Sequence, residues 1–239
     1  NAMVGHFKGG LGVATVLACT IFAAISGSSV ATALTIGSSA IPQMQRFGYR
    51  ASDTYGVIAA GGTLGILIPP SGPMILYAIV SETSIGALFI AGLIPGIMMA
   101  LLFAVYCMGQ GYFRKEIKDV EWIGWARCAH AMRRSIWSLI MPPLVLGGIY
   151  MGIFTASEAA AIGSIYALFV GAVIYRNFNL KDLAITAYDT VRTTSMLFMI
   201  LAAAAMFGHA VTIIRLPIEL MESVTAMGLG PIQFILVVM

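Results

Sequence analysis

The sequence has 239 residues, of which 59% are hydrophobic and only 10% are charged. A soluble domain typically carries about 25% charged residues, so this composition is that of a membrane protein, with room for one membrane domain. The net charge is +3 and the basic residues are dispersed between apolar runs, which argues against a nucleic-acid-binding surface.

The first apolar segment is interrupted before it is long enough to cross a bilayer. Residues 11–25 and 30–41 form two short runs, separated by Ser26, Gly27, Ser28 and Ser29. A crossing helix needs about 20 apolar residues, so neither run spans alone. Two interpretations remain open: one over-long helix, or a re-entrant hairpin over residues 10–45 whose tip lies at mid-depth. The short arms favour the hairpin.

The second apolar segment contains three prolines within five residues, at Pro69, Pro70 and Pro73. Proline lacks the amide donor and clashes with the preceding turn, so a helix must break there. We therefore predict a broken helix over residues 53–82. Gly61, Gly62, Thr63 and Gly65 loosen the turns that lead to the break.

Four further transmembrane helices are predicted over residues 86–112, 136–154, 156–175 and 193–214. Between the first two, the three tryptophans and nearby arginines predict an amphipathic segment over residues 113–135 in the cytoplasmic interface. With a hairpin at the start, one side of the membrane receives twelve of the thirteen basic residues. Cytoplasmic loops are enriched in Lys and Arg, so we expect that side to be cytoplasmic.

The two breaks define the candidate site. Broken helices in a bilayer occur where protein or a water-filled cavity satisfies their backbone groups. Carbonyl and hydroxyl oxygens at helix ends suit Na⁺, and helix N-termini suit a carboxylate. The predicted ion-binding residues are Ser26, Gly27, Ser28, Gly62, Thr63 and Pro69, and the predicted substrate-binding residues are Ser26, Ser28, Ser29 and Ser71. The alternative is structural, with close helix packing at Ser and Gly and a simple proline kink.

Five motifs carry a family resemblance over essentially the whole chain. They are VGHFKGG at residues 4–10, FAAISGSS at 22–29, IPPS at 68–71, SIGALFIAG at 84–92 and GIFTASEAAA at 152–161. Together the sequence resembles the first part of the DctM-type large membrane subunit of TRAP (tripartite ATP-independent periplasmic) transporters. The second hairpin and second broken helix of that family do not appear here, so we expect a fragment that does not transport alone.

The resemblance implies an all-α membrane protein, namely a helical bundle that forms half of an ion-transporter-like inverted repeat. It implies a multi-pass subunit of the bacterial inner membrane that imports small organic acids, C4-dicarboxylate or sialic-acid-like, with Na⁺ by an elevator mechanism. The implied partners are a small membrane subunit of DctQ type and a periplasmic substrate-binding protein of DctP type. Alternatives are an ATP-driven importer permease and a non-transporting membrane assembly protein.

Two polar residues give weaker signals. His209 lies within an apolar span, where it either relays protons or, as we favour, hydrogen-bonds a neighbouring helix. Asp53 follows Ser52 and is expected to belong to a helix N-cap. The sequence contains no Ser-His-Asp set, metal-ligand cluster or phosphate loop, so we do not expect an enzyme.

Overall fold

The computed structural model describes residues 8–114, 125–176, 179–216, 218, 219 and 222, and these residues form helices and connecting turns without a strand. This confirms an all-α membrane protein. The helices are α1 (Gly10–Ser26), α2 (Ser29–Arg46), α3 (Ala51–Leu67), α4 (Gly72–Val80), α5 (Ile85–Phe113), α6 (Trp125–Tyr150), α7 (Ala156–Phe169) with a π-helical turn (Val170–Ile174), and α8 (Leu180–Ile213).

The first two helices form a hairpin with a two-residue turn. Gly27 has a φ of 60° and its N–H donates to the Ala23 carbonyl at 2.9 Å, which ends α1. Ser28 is extended and caps α2. The other ends of the pair are also tied together, because the Gly12 N–H donates to the Tyr49 hydroxyl at 3.2 Å. A single continuous helix is thereby excluded, and the predicted hairpin is confirmed; its re-entrance from the cytoplasmic side stays a prediction.

The predicted proline break separates α3 from α4. Ile68 leaves the helical conformation with a ψ of 125°, and α4 starts at Gly72. Pro70 has no N–H to donate to the Ile66 carbonyl four residues earlier, and the Ser71 hydroxyl instead donates to it at 2.6 Å. We call residues 68–71 the proline break and residues 26–29 the hairpin tip.

Two helices extend beyond the predicted transmembrane spans at their N-terminal ends. Helix α6 starts at Trp125 and not at residue 136, and α8 starts at Leu180 and not at residue 193. The predictions followed hydropathy, which marks where a helix enters the bilayer, whereas charged residues extend a helix readily outside it. Residues 115–124 of the predicted amphipathic segment lie outside the described residues.

Several described helices have the length and composition to cross a membrane. The candidate spans are Ala51–Val80, which includes the proline break, Ile85–Phe113, Ala156–Ile174 and Leu180–Ile213. Shorter apolar helical stretches run over Gly10–Ser26 and Ser135–Tyr150. The second of these covers most of the predicted span 136–154.

The chain divides into two compact units, Asn1–Asn177 and Phe178–Met239. In the first unit, α1, α2, α3 and α5 share a core of mostly apolar side chains: Leu11, Val13, Val16, Ala23, Met44, Tyr49, Val57, Leu64, Ile68, Ala100 and Cys107. In the second unit, α8 has no buried residue. The hairpin tip and the proline break belong to the first unit.

Candidate ion and substrate site

Backbone contacts join the hairpin tip to the proline break and to the last turns of α3. A Cβ atom added to Gly27 would overlap the Pro70 carbonyl oxygen. One added to Gly65 would lie 2.5 Å from the Ser28 carbonyl oxygen, and one on Gly62 would lie 3.1 Å from that of Ser29. The two breaks therefore meet, as their common depth predicted. Glycine is required on both sides for this approach.

Hydroxyl groups brace the hairpin tip from within. The Ser28 hydroxyl accepts from the Ala31 N–H at 3.3 Å and so caps α2. Thr32 is fully buried, donates to the Ser28 carbonyl at 2.7 Å, and lies 3.0 Å from the Ser26 hydroxyl oxygen. These bonds fix where the tip oxygens point.

The proline break leaves backbone acceptors without an amide partner. Among the described residues, no hydrogen bond reaches the carbonyls of residues 67–70. One turn earlier, the Ile66 carbonyl accepts from the Ser71 hydroxyl. Of the carbonyls of residues 67–70, the Pro70 carbonyl oxygen lies beside Gly27, whereas the Leu67 carbonyl oxygen faces Gly92 of α5.

Four helix ends converge in this region. Helices α1 and α3 end here, and α2 and α4 begin here. Helix C-termini carry partial negative charge and N-termini partial positive charge. The arrangement can hold a cation at the two C-terminal ends and an anion at the two N-terminal ends.

The structure does not bring every predicted residue to the same point. Ser28, Ser29 and Gly62 meet at the contact of the hairpin tip with α3, and Gly27 lies against the proline break, in which Pro69 is fully buried. Ser26 lies within the tip, where its hydroxyl oxygen is 3.0 Å from that of Thr32. Their ion-binding and substrate-binding roles stay predictions.

Two other predicted residues are placed differently. Thr63 is exposed on α3 and its hydroxyl donates to the Ala60 carbonyl at 2.6 Å. Ser71 is fully buried, and its hydroxyl donates a hydrogen bond to the Ile66 carbonyl. Thr63 therefore takes no part in the described contact, and Ser71 braces the break.

Sequence reasoning missed Thr32 as a member of the tip. Its signal is its position four residues after Ser28, where a threonine hydroxyl on a helix reaches the preceding turn's carbonyl. It also missed the reason for Gly61, whose added Cβ would lie 2.7 Å from the Cys19 sulfur. Cys19 is a free cysteine that is fully buried between α1 and α3.

The expected N-cap role of Asp53 is wrong. Helix α3 begins at Ala51 with Arg50 as its extended N-cap, so Asp53 lies within the first turn. Its carboxylate forms an ion pair with Arg114 and accepts from Gln110 Nε2 at 3.3 Å. These partners follow Asp53 by 61 and 57 residues.

Two further polar residues lie away from the hairpin tip. Glu158 and Thr155 form a reciprocal capping box at the start of α7, with the Thr155 N–H donating to Glu158 Oε2 at 2.8 Å. His209 is exposed on α8, and its role stays a prediction. Among the described residues no group of three or more His, Cys, Asp or Glu side chains could hold a metal ion.

Long apolar helices, a tight helical hairpin and a proline-broken helix define the class of the chain as a multi-pass membrane protein. Comparison with known proteins supports that class: residues 1–239 match the family described as "Tripartite ATP-independent periplasmic transporter, DctM component". The chain belongs to this family.

Several relatives are similar over nearly the whole chain. The C4-dicarboxylate TRAP transporter large permease protein DctM of Pseudomonas aeruginosa is 42% identical over 243 residues, covering 100% of this chain and 56% of that protein. The ectoine/5-hydroxyectoine large permease UehC of Ruegeria pomeroyi is 37% identical, with 99% and 55% covered. The sialic acid large permease SiaM of Vibrio cholerae is 34% identical, with 100% and 56% covered. The chain thus spans about half the length of these relatives.

Proposed function

We propose that this chain is the first part of the permease subunit of a sodium-coupled secondary transporter that imports small organic acids. The observation that carries the proposal is the contact between the hairpin tip and the proline break. A chain that only anchored an assembly would have no need to break two helices within the bilayer and then pack the breaks together.

The chemistry of the contact favours Na⁺ as the coupled ion. Sodium is a hard cation that prefers oxygen ligands, and the Pro70 carbonyl, which lies beside Gly27, has no amide partner among the described residues. The Ser26 and Ser28 hydroxyls lie on the facing tip. No carboxylate is needed, because the C-terminal ends of α1 and α3 supply negative potential.

The same contact favours an anionic substrate. Helices α2 and α4 begin beside the ion region, and helix N-termini stabilise a carboxylate through their unpaired N–H groups. Ser29, in the first turn of α2, and Ser71, before α4, flank these N-termini. The substrate carboxylate would bind on this side of the contact and the ion on the carbonyl side.

The relatives guide the choice of substrate and partners. Their names include C4-dicarboxylates, ectoine and sialic acid, all of which carry a carboxylate. We propose that the substrate is a C4-dicarboxylate or a similar organic acid. The proposed partners are a small membrane subunit and a periplasmic substrate-binding protein. The complex would lie in the bacterial inner membrane and transport by an elevator-type movement. The remaining half of the site belongs to the part of the relatives that this chain does not cover.

Of the alternatives, an ATP-driven importer fits least well. The family's own description is ATP-independent. If the chain were a non-transporting assembly protein, it would support no ion-dependent substrate uptake.

The test is uptake by the complete three-component system reconstituted in vesicles, measured across candidate acids with and without a sodium gradient. We expect uptake of at least one C4-dicarboxylate or related acid that requires Na⁺ outside and is unaffected by ATP. Uptake that proceeds equally in K⁺ medium would refute sodium coupling. Uptake of no acid at all, by a system confirmed as folded and assembled, would refute the transport function.

A further inference from the structure

A polar cluster joins α3 to α5 at the end of α3 that lies opposite the proline break. Asp53 pairs with Arg114, and Gln110 Nε2 bridges Asp53 Oδ1 at 3.3 Å and the Tyr106 hydroxyl at 2.8 Å. The Asp53 and Arg114 side chains are 13% and 32% exposed. We call Asp53, Gln110 and Arg114 the basal clamp.

The same end of the bundle also holds both ends of the hairpin. Besides the bond from Gly12 to Tyr49, the Lys8 ammonium lies 5.4 Å from the centre of the Tyr112 ring. Gly9 and Gly111 approach so closely that neither has room for a Cβ atom. The starts of α1 and α3 and the ends of α2 and α5 are therefore fastened together, far from the hairpin tip.

Helix α5 contacts both the first turn and the last turn of α3. Near the break, a Cβ on Gly96 would lie 2.8 Å from the Ile68 side chain, and one on Gly92 would lie 3.0 Å from the Leu67 carbonyl oxygen. At the base, Arg114 holds Asp53. Contacts with α5 at both ends of α3 therefore determine the angle between these two helices.

We propose that Asp53, Gln110 and Arg114 are positioning residues that set the distance between the hairpin tip and the proline break. The clamp stays closed during transport, so that α1, α2, α3 and α5 move as one body. This inference rests on the proposed sodium site, because its consequence is measured there.

A small tilt of α3 at the clamp displaces the proline break at the other end of the helix. Asp53 lies in the first turn of α3 and the break starts at Ile68, 15 residues later, which at a rise of 1.5 Å per residue places the break about 22 Å from the clamp. At that length, a tilt of about 2° moves the break by about 0.8 Å. The tip and the break are in van der Waals contact, so a shift of this size changes the oxygen positions offered to an ion.

The experiment compares Arg114→Gln, Asp53→Asn and the charge-exchanged double variant D53R/R114D in the complete reconstituted transporter. Arg46→Gln is the matched control, because it removes a basic side chain that is exposed at the end of α2. Each protein is assayed for assembly, for maximal uptake rate and for the sodium concentration that gives half-maximal uptake.

We expect each single variant to raise the half-maximal sodium concentration about fivefold or more, the lower end of typical coupling between two sites. Maximal rate at saturating sodium should change less, and the charge-exchanged variant should recover most of the sodium affinity. Arg46→Gln should behave as the unmodified protein. Gln110→Met, which keeps the length but removes the bridging amide, tests the clamp without removing a charge and should raise the sodium requirement in the same direction.

Each other outcome overturns the inference. A lowered maximal rate with unchanged half-maximal sodium concentration would show that the cluster supports only folding or assembly. The maximal rate could instead fall with each clamp group removed and fail to recover on charge exchange. That result would show that the clamp opens during transport. If the unmodified transporter itself shows no sodium dependence, it is the proposed function that fails, and that result is distinguishable from both.

Discussion

Replacing Gly65 by Ala tests the contact between α3 and the hairpin tip with the smallest possible change. The added Cβ would lie 2.5 Å from the Ser28 carbonyl oxygen, 2.6 Å from its carbonyl carbon and 2.8 Å from the Ser29 nitrogen. All three atoms are backbone, so no side-chain rotation relieves the overlap. To reach an ordinary contact of 3.4 Å, the tip and α3 must separate by about 0.9 Å.

The cost of that separation follows from measured overpacking in protein cores. Inserting a methyl group into a packed core costs about 1–3 kcal/mol. If about 1.4 kcal/mol of this opposes the sodium-bound arrangement, sodium affinity falls about tenfold. We therefore expect Gly65→Ala to lower stability and to raise the half-maximal sodium concentration about tenfold.

Gly56→Ala is the matched control, since it makes the same change in the same helix at a position where an added Cβ meets nothing within 4 Å. This variant should be neutral or stabilised by up to about 1 kcal/mol, because alanine favours the helix. Both variants are compared by thermal unfolding in detergent and by sodium-dependent uptake in the complete system. Equal stability and equal sodium dependence in the two variants would refute the described packing.

Three further predictions address the tip, the α3 hydroxyl and the membrane topology. Thr32→Val should lower the unfolding free energy by about 0.5–1.5 kcal/mol, because it removes the hydroxyl bond to the Ser28 carbonyl while the Thr32 N–H still donates there, and unchanged thermal unfolding would contradict this. Ser28→Ala should raise the sodium requirement while Thr63→Ala should not, and the reverse pattern in uptake assays would assign the ion to the Thr63 side of α3. In a cysteine-free background, an impermeant thiol reagent should label Glu82→Cys from outside and Arg46→Cys only from inside; the opposite labelling would reverse the topology.

The helical hairpin and the proline break were predictable from the sequence because both depend on local chemistry. Runs too short to span, a Ser-Gly-Ser-Ser interruption and three closely spaced prolines each act within a few residues. Their meeting was predictable from depth alone, since backbone groups in a bilayer must find partners within protein. The motifs then gave the family without any structural information.

Other features depend on contacts that a single sequence does not contain. The pairing of Asp53 with Arg114 spans 61 positions, and nothing near Asp53 indicates α5 as its partner. Adjacent Ser52 favoured a cap, but the chain enters the helix earlier, through the extended Arg50. Likewise, whether Thr63 faces the hairpin depends on the rotation of α3, which its glycine-rich face against the tip determines.

The starts of α6 and α8 show that hydropathy alone does not predict where a helix begins. Residues 180–192 contain four charged side chains and were therefore excluded from the predicted span. They are nevertheless helical, with Asn179 accepting from the Lys181 N–H at 3.3 Å to cap the first turn. Hydropathy determines where a helix meets the bilayer, whereas capping determines where it starts.

The central claim, that the hairpin tip and the proline break together form a sodium site, is tested most directly by titrating sodium into the purified full-length permease and measuring the heat of binding. Gly27→Ala is the decisive variant, since Gly27 has a φ of +60° and an added Cβ would overlap the Pro70 carbonyl oxygen. We predict saturable sodium binding, absent with potassium, that Gly27→Ala weakens by at least about tenfold while the protein remains folded by thermal unfolding. Sodium binding of equal affinity in a folded Gly27→Ala protein would contradict the claim.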